Sequence, residues 1–207
     1  MTSKWLLTTS VVTAVLYFGT IYVIAAFEPN YSHFQNFASD LGRATAGHPD
    51  IYNTSAIIQG LLFIVAGELL HLTSRGLSGR PILSGVIGLF LAAFGVSTLC
   101  VGLFPLPDPR HSGYGVALLS MFVPWLLAWA FWKSPSAQLA PLARYVQLLA
   151  TPILFLTVIW QTGGIGFVTE GSMGLAQRIA AATFFVWFVG TCHWLNVQRR
   201  RAVTAVR

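Results

Sequence analysis

Six long apolar runs constrain this chain more than any other feature. They lie near Trp5–Phe27, Asn53–Thr73, Ile82–Phe104, Ser112–Trp132, Arg144–Thr162 and Met173–Leu195. Each is about 20 residues long, which a helix rising 1.5 Å per residue needs to cross about 30 Å of hydrocarbon. Hydrocarbon offers no partner to backbone N–H and C=O groups, so such runs must close their own hydrogen bonds as helices. Charge content agrees: 9% of residues are charged, against about 25% in soluble domains. The expected fold is all-α, an integral membrane bundle of six transmembrane helices in one domain, residues 1–207. Lys4 before the first run and Ala25-Ala26 after it imitate a signal peptide. The run exceeds the roughly 7–15 apolar residues of a signal h-region, so it reads as a span.

Lys and Arg outside the spans set orientation. The N-terminus, second loop, fourth loop and C-terminus carry Lys4, Arg75, Arg80, Lys133, Arg144, Arg199, Arg200, Arg201 and Arg207. The opposite side carries Arg43, Arg110 and Arg178. Nine against three predicts a protein of the cytoplasmic (inner) membrane with both termini cytoplasmic. The net charge of +6 then faces anionic lipid headgroups, and membrane lipid rather than nucleic acid is the expected partner. The acids divide the other way. Glu28, Asp40, Asp50, Asp108 and Glu170 fall on the outer side, and Glu68 alone lies in a span.

Two of those acids sit in "HFQNFASDLGRATAGHPDIYN", His33–Asn53. At 100° per residue, Tyr31, Phe34, Phe37, Ala38, Leu41 and Ala44 fill one arc, with His33, Asn36, Asp40 and Arg43 beside it. This predicts a short amphipathic helix in the first outer loop, over Tyr31–Thr45, lying in the interface. Asp40 and Arg43, three apart, can pair. The polar stripe is either functional or simply wet. Asn53 is placed to cap the second span, although Asn53-Thr-Ser also has the form of a glycosylation acceptor. In "FPLPDPRH", Pro105, Pro107 and Pro109 end the third span and deliver His111 to the head of the fourth. Arg178 falls at least a turn inside the sixth span. A charge there either faces the bundle with a partner, for which Asp40 and Glu170 are candidates, or snorkels to the surface.

Glu68 and His71 sit three apart near the end of the second span, and His193 lies near the same end of the sixth. Two histidines on two helices raise an alternative, a bis-histidine heme cytochrome. His33, His48 and His111 with Asp40 lack the tight spacing of a zinc site. The expectation is no cofactor and no metal. Cys100 and Cys192 fall in opposite leaflets, too far apart for a disulfide. Ser84, Gly88 and Ala92 recur every four residues, as at a close helix contact. Pro124 and Pro152 predict kinks in the fourth and fifth spans. Trp125, Trp129 and Trp132 read as packing and interface anchors. No Walker loop, GxGxxG or GxSxG occurs.

"SDLG" at Ser39–Gly42, Asn53, "VGLFPLPDPRH" at Val101–His111 and "GLAQRI" at Gly174–Ile179, in that order, resemble a bacterial and archaeal membrane family. It is catalogued as domain of unknown function 998. The resemblance runs from about Asn30 to Trp194. The sixth-span motif in such proteins often has Glu before the Arg, where Gln177 stands here. The resemblance implies a multi-pass membrane protein and assigns no activity.

The residues that converge on the outer side define an expected site. Asp40 and His111 would act as general acid and base. Ser39, Arg43, Asn53 and Arg178 would bind substrate, the arginines holding an anion. The leading reading is a membrane enzyme or binding protein for a lipid-like or isoprenoid-like molecule whose tail enters from the bilayer. The alternative is a non-enzymatic subunit of a membrane complex or a small transporter, either as a homo-oligomer or with a partner subunit.

Overall fold

The computed structural model describes residues 1–132, 134, 141–161 and 170–204, with the side chains of 141–146, 157, 158, 160, 161 and 170 set aside. The side chains of Lys133, Arg144, Glu170 and Arg207, which entered the orientation and partner expectations, therefore lie outside the described residues. Six α-helices are α1 Thr2–Ala25, α2 Pro49–Ser78, α3 Pro81–Leu103, α4 Val123–Phe131, α5 Pro141–Gln161 and α6 Met173–Thr204. Three 3-10 segments, Ala38–Gly42, Gly113–Phe122 and Glu170–Ser172, stand between them. Among the described residues, five helical stretches are long and apolar enough to cross a membrane: α1, α2, α3, Gly113–Phe131 and α6. Among the described side chains of α5, an apolar stretch covers Gln147–Leu156. The protein is an all-helical integral membrane protein.

Helix α2 begins four residues earlier than expected. Pro49, at the first helical position, fixes φ ahead of nucleation, and Asp50 in the first turn complements the helix dipole. Asn53 is thus a turn inside α2 and not its cap. The helix runs 30 residues, about 45 Å. It stops at Gly79, whose φ of 68° is the left-handed cap conformation glycine adopts without strain. Pro81 then starts α3, so α2 and α3 form a hairpin with a two-residue turn.

That hairpin is the tightest junction in the protein. Gly60 and Gly67 on α2, and Gly88, Gly95 and Gly102 on α3, recur every seven residues. A Cβ on Gly88 would lie 2.6 Å from the Gly67 carbonyl oxygen, one on Gly95 2.7 Å from that of Gly60, and one on Gly102 2.5 Å from that of Asn53. Backbone therefore meets backbone along the whole seam. In lipid, where apolar burial drives little helix association, such contact supplies dispersion and Cα–H···O attraction instead. The expected face of Ser84, Gly88 and Ala92 belongs to this seam. Ser84 is buried against Ser78, and Ala92 lies beside Gly67.

Polar bonds join the other helices. Thr20 on α1 meets Ser55 on α2 at 2.8 Å, and Ser3 donates to Asn196 on α6 at 3.1 Å. Gln147 fastens α5 to α6, donating to Thr191 and accepting from the Trp187 indole, both at 2.9 Å. Phe63, Leu70, Leu91, Phe131 and Phe188 are fully buried between the helices. Pro124 does not kink a continuous helix. It sits at the start of α4, where the 3-10 turns of Gly113–Phe122 give way to α-helix, a position that costs no hydrogen bond. Pro152 lies inside α5. Arg199 packs over Gly76, so α1, α2 and α6 bring their basic ends together. The acidic loops gather at the opposite end.

Candidate functional site

At the acidic end, the segment between α1 and α2 folds over the start of α6. It is not the amphipathic helix expected over Tyr31–Thr45. Regular structure is confined to the five-residue 3-10 helix Ala38–Gly42, and Phe37 before it is extended, with ψ near 153°. The physical reason is competition for the backbone. Arg178 Nη1 donates to the Asn36 carbonyl at 2.7 Å, the Ala38 N–H donates to Gln177 Oε1 at 2.7 Å, and the Leu175 N–H donates to the Phe34 carbonyl at 3.0 Å. A helix over Tyr31–Thr45 would need those same groups internally. At Gly174 a Cβ would overlap the Asn36 carbonyl, so glycine lets the loop approach the head of α6.

Arg178 is 8% exposed. It faces the interior and does not snorkel. Its expected carboxylate partner, Asp40, is replaced by neutral oxygens: the carbonyls of Asn36 and Gly174, each at 2.7 Å, and the Tyr31 hydroxyl. Its Nε is buried without a partner. Asp40 instead accepts the Phe37 N–H at 2.8 Å and pairs with Arg43 at 2.7 Å, as the i, i+3 spacing predicts. Arg178 and Asp40 thus hold the two sides of one peptide group, the Asn36 C=O and the Phe37 N–H.

Above this clamp opens a cleft of about 370 Å³, lined by Glu28, Asn30, Tyr31, Asn36, Asp40, Arg43 and Thr45 among others. Glu28 accepts the Gly47 N–H at 2.5 Å and ties the far side of the loop down. Phe27 and Phe34 are 67% and 61% exposed at the same end. Burial raises the Tyr31 hydroxyl above its ordinary value, with the Arg178 charge opposing that shift. Burial and then the Arg178 charge lower the imidazole of His33, whose Nδ1 is buried without a partner.

Ser39 is half-buried in the 3-10 turn beside Asp40. Asn53 Nδ2 donates to the Gly42 carbonyl at 3.0 Å. Gly42 has no room for a side chain, since a Cβ would overlap Asn53 Oδ1 and lie 2.7 Å from the Tyr52 ring. His111 is not among the residues that line the cleft. His111 follows the third-helix turn, where its Nδ1 lies 2.8 Å from the Phe104 carbonyl. Its neighbours are the two-pronged Asp108–Arg110 pair, at 2.7 and 3.0 Å, with the guanidinium 4.0 Å over the Phe104 ring. The hydrogen bonds from Arg110 pull the Asp108 carboxyl down to about 2. Sequence reasoning missed Tyr31, Glu28 and Gln177 as working parts of the site. The signal for Gln177 was its place next to Arg178.

Elsewhere, His71 packs against Gly85 and Gly88 of α3, whereas His193 is exposed on α6. Among the described residues no three His, Cys, Asp or Glu side chains are grouped to hold a metal ion. Cys100 and Cys192 are free thiols.

Fold and site together define a multi-pass helical membrane protein with an end loop locked onto its last helix. The chain belongs to the family described as Protein of unknown function (DUF998), which matches residues 11–194. That range includes every residue of the loop clamp and the glycine seam. No curated protein and no solved structure matches the chain.

Proposed function

We propose that this is a six-span protein of the cytoplasmic membrane, α5 completing the set, with both termini cytoplasmic and a site for the polar head of a lipid-like molecule at its outer end. The observation that carries the reading is the polar cleft between Glu28, Tyr31, Asp40 and Arg43, with exposed Phe27 and Phe34 nearby. Exposed aromatics favour interfacial depth, so the cleft opens where headgroups lie and a tail can stay in lipid. The geometry favours binding over acid–base chemistry by Asp40 and His111, which stand in separate loops, with both Asp40 oxygens and the His111 Nδ1 already engaged. Arg178 braces the loop beneath the cleft, its Nη groups donating to three oxygens of the loop and of α6.

Mass spectrometry of co-purifying lipids tests this. Ala46 lines the cleft, and Ala46→Trp fills it. A lipid species retained by the wild type and lost in Ala46→Trp supports the reading, whereas identical lipid complements overturn it. Orientation is tested by impermeant thiol labelling of intact cells. Asp50→Cys should react and Arg200→Cys should not.

A second reading, a subunit that docks on a partner, is favoured by Glu68. It is exposed on the same face of α2 as Ile58, Leu61 and Val65. Carboxylates in spans usually face a protein or a water-filled cavity. Cross-linking through Glu68→Cys in native membranes that yields no adduct would remove this reading.

A further inference from the structure

A second depression lies at the basic end, on the outside of the bundle where α3 starts and α4 ends. It is an open groove of about 470 Å³ lined by Arg80, Pro81, Ile82, Leu83, Val86 and Trp129. Arg80 supplies its only charge. Ile82 is 85% and Trp129 63% exposed, so the walls are a surface that only an apolar occupant would dry. Arg80 closes one end, anchored by Nη1 to the Trp129 carbonyl at 3.1 Å. A guanidinium has five N–H donors, which leaves Arg80 donors for another ligand. Among the described residues the ion pairs are Arg43–Asp40 and Arg110–Asp108, both at the far end. Arg75 and Arg199–Arg201 add positive charge at the near end. Five of the six acids lie toward the far end, in its loops or in the first turn of α2, and Glu68 is two turns up α2 from Arg75.

An apolar trough that ends in an anchored, unneutralised arginine at the membrane surface matches one kind of molecule. We propose that this groove is a binding site for one anionic phospholipid, its phosphate on Arg80 and an acyl chain along Ile82, Val86 and Trp129. Trp129 belongs to the interfacial aromatics whose rings suit headgroup depth. The guanidinium suits phosphate because its planar fork of donors matches two phosphate oxygens at once. Arg75 and the α6 arginines raise the local concentration of anionic lipid without forming the site. The assignment stands apart from the outer cleft and does not depend on which side of the membrane either end faces.

The test is native mass spectrometry of the full chain in detergent, titrated with phosphatidylglycerol or with phosphatidylcholine of the same acyl chains. The wild type should retain phosphatidylglycerol more strongly, by at least about fivefold, the factor one basic residue gives near an anionic surface. Arg80→Gln should abolish that preference. Arg75→Gln, outside the groove, should lower it far less. Val86→Phe fills the trough and keeps Arg80, and it should lower retention of both lipids, which separates a lost site from a misfolded variant. Equal retention of the two lipids by the wild type overturns the proposal. So does an equal loss in Arg75→Gln and Arg80→Gln, which would mean diffuse attraction, or full phosphatidylglycerol retention in Val86→Phe.

Discussion

The α2–α3 hairpin and the junction of the first loop with α6 are both close backbone contacts, held by opposite means. In the hairpin, the holding depends on side chains that glycine omits. Glycines at seven-residue intervals let carbonyls of one helix rest on the Cα atoms of the other. At the loop junction, side chains do the holding. Gln177 and Arg178 reach out of α6 and take an N–H and a carbonyl that the loop cannot satisfy internally. A seam of the first kind fails when anything is added. One of the second kind fails when anything is removed.

The largest effect should therefore come from the smallest addition. Gly95→Ala sets a methyl 2.7 Å from the Gly60 oxygen and 2.8 Å from the Ile64 nitrogen, both backbone atoms that cannot step aside. Overpacking of this kind costs about 1–3 kcal/mol, and Gly95→Leu should cost more. Gly19→Ala is the matched control, because a Cβ there has nothing within 4 Å. Thermal unfolding in detergent checks the pair. Equal midpoints for the two alanine variants would show that the hairpin opens freely and that the seam is not a rigid element.

Next comes removal at the other junction. Arg178→Gln takes the donor from the half-buried Asn36 carbonyl, and an unsatisfied buried group costs about 1–3 kcal/mol, whereas the Tyr31 hydroxyl keeps its bond to the Phe37 carbonyl. Asp40→Asn should cost less, since an amide oxygen can still accept from Phe37. The two changes should nonetheless couple by about 0.5 kcal/mol or more, because Arg178 and Asp40 polarise one peptide group from its two sides. A double-mutant cycle in thermal stability measures this. Strict additivity would mean that the Asn36–Phe37 peptide is held from one side alone.

The same contrast explains what the sequence disclosed. Membrane helices were legible because a run such as Ile82–Phe104 states its solvent in every residue. The seam was partly legible: Gly88 was placed at a helix contact from its four-residue neighbours, though the seven-residue period carries the closest approaches. The loop was not legible. Tyr31–Thr45 has a helical pattern of apolar residues, but Gln177 and Arg178, about 140 positions away, outbid that pattern for its backbone groups. The burial of Arg178 followed from the cost of a charge in lipid. Its partners did not, because carbonyl oxygens belong to every residue and leave no mark on composition. His111 was grouped with Asp40 because both lie at the same end; the hydrogen bond that His111 makes, to the Phe104 carbonyl of its own turn, had no mark in the sequence.

A smaller effect separates charge from contact at the loop junction. His33 has its pKa lowered from 6.5, first by burial and then by the Arg178 charge. A base depressed in the folded state contributes stability that is complete above its unfolded pKa and is lost as pH falls through the folded one. The window is therefore below 6.5. Stability should fall as the solution is acidified there, and less so in His33→Gln. NMR of labelled histidines should show the His33 pKa rising in Arg178→Gln as the second cause disappears. An unmoved value would assign the whole depression to burial.

The smallest effect belongs to the ion pair that looks strongest on paper. Asp108 and Arg110 make the two-pronged bond a buried site would prize, and the Asp108 carboxyl is drawn from 3.8 to about 2. Yet Arg110 is exposed in a surface turn, and water and salt screen such a pair. Its contribution is complete above 3.8 and fades as pH drops through about 2. Near neutrality Asp108→Asn should shift the unfolding midpoint far less than Arg178→Gln, and the shift should shrink further when salt is raised to 1 M, where the Debye length is about 3 Å. The turn keeps its own supports, since His111 still meets the Phe104 carbonyl and the Gly113 N–H still reaches that of Arg110. A loss in Asp108→Asn that matches Arg178→Gln and resists salt would show that the turn is buried in the working protein, under lipid or a partner, and that the two outer junctions are held with equal force.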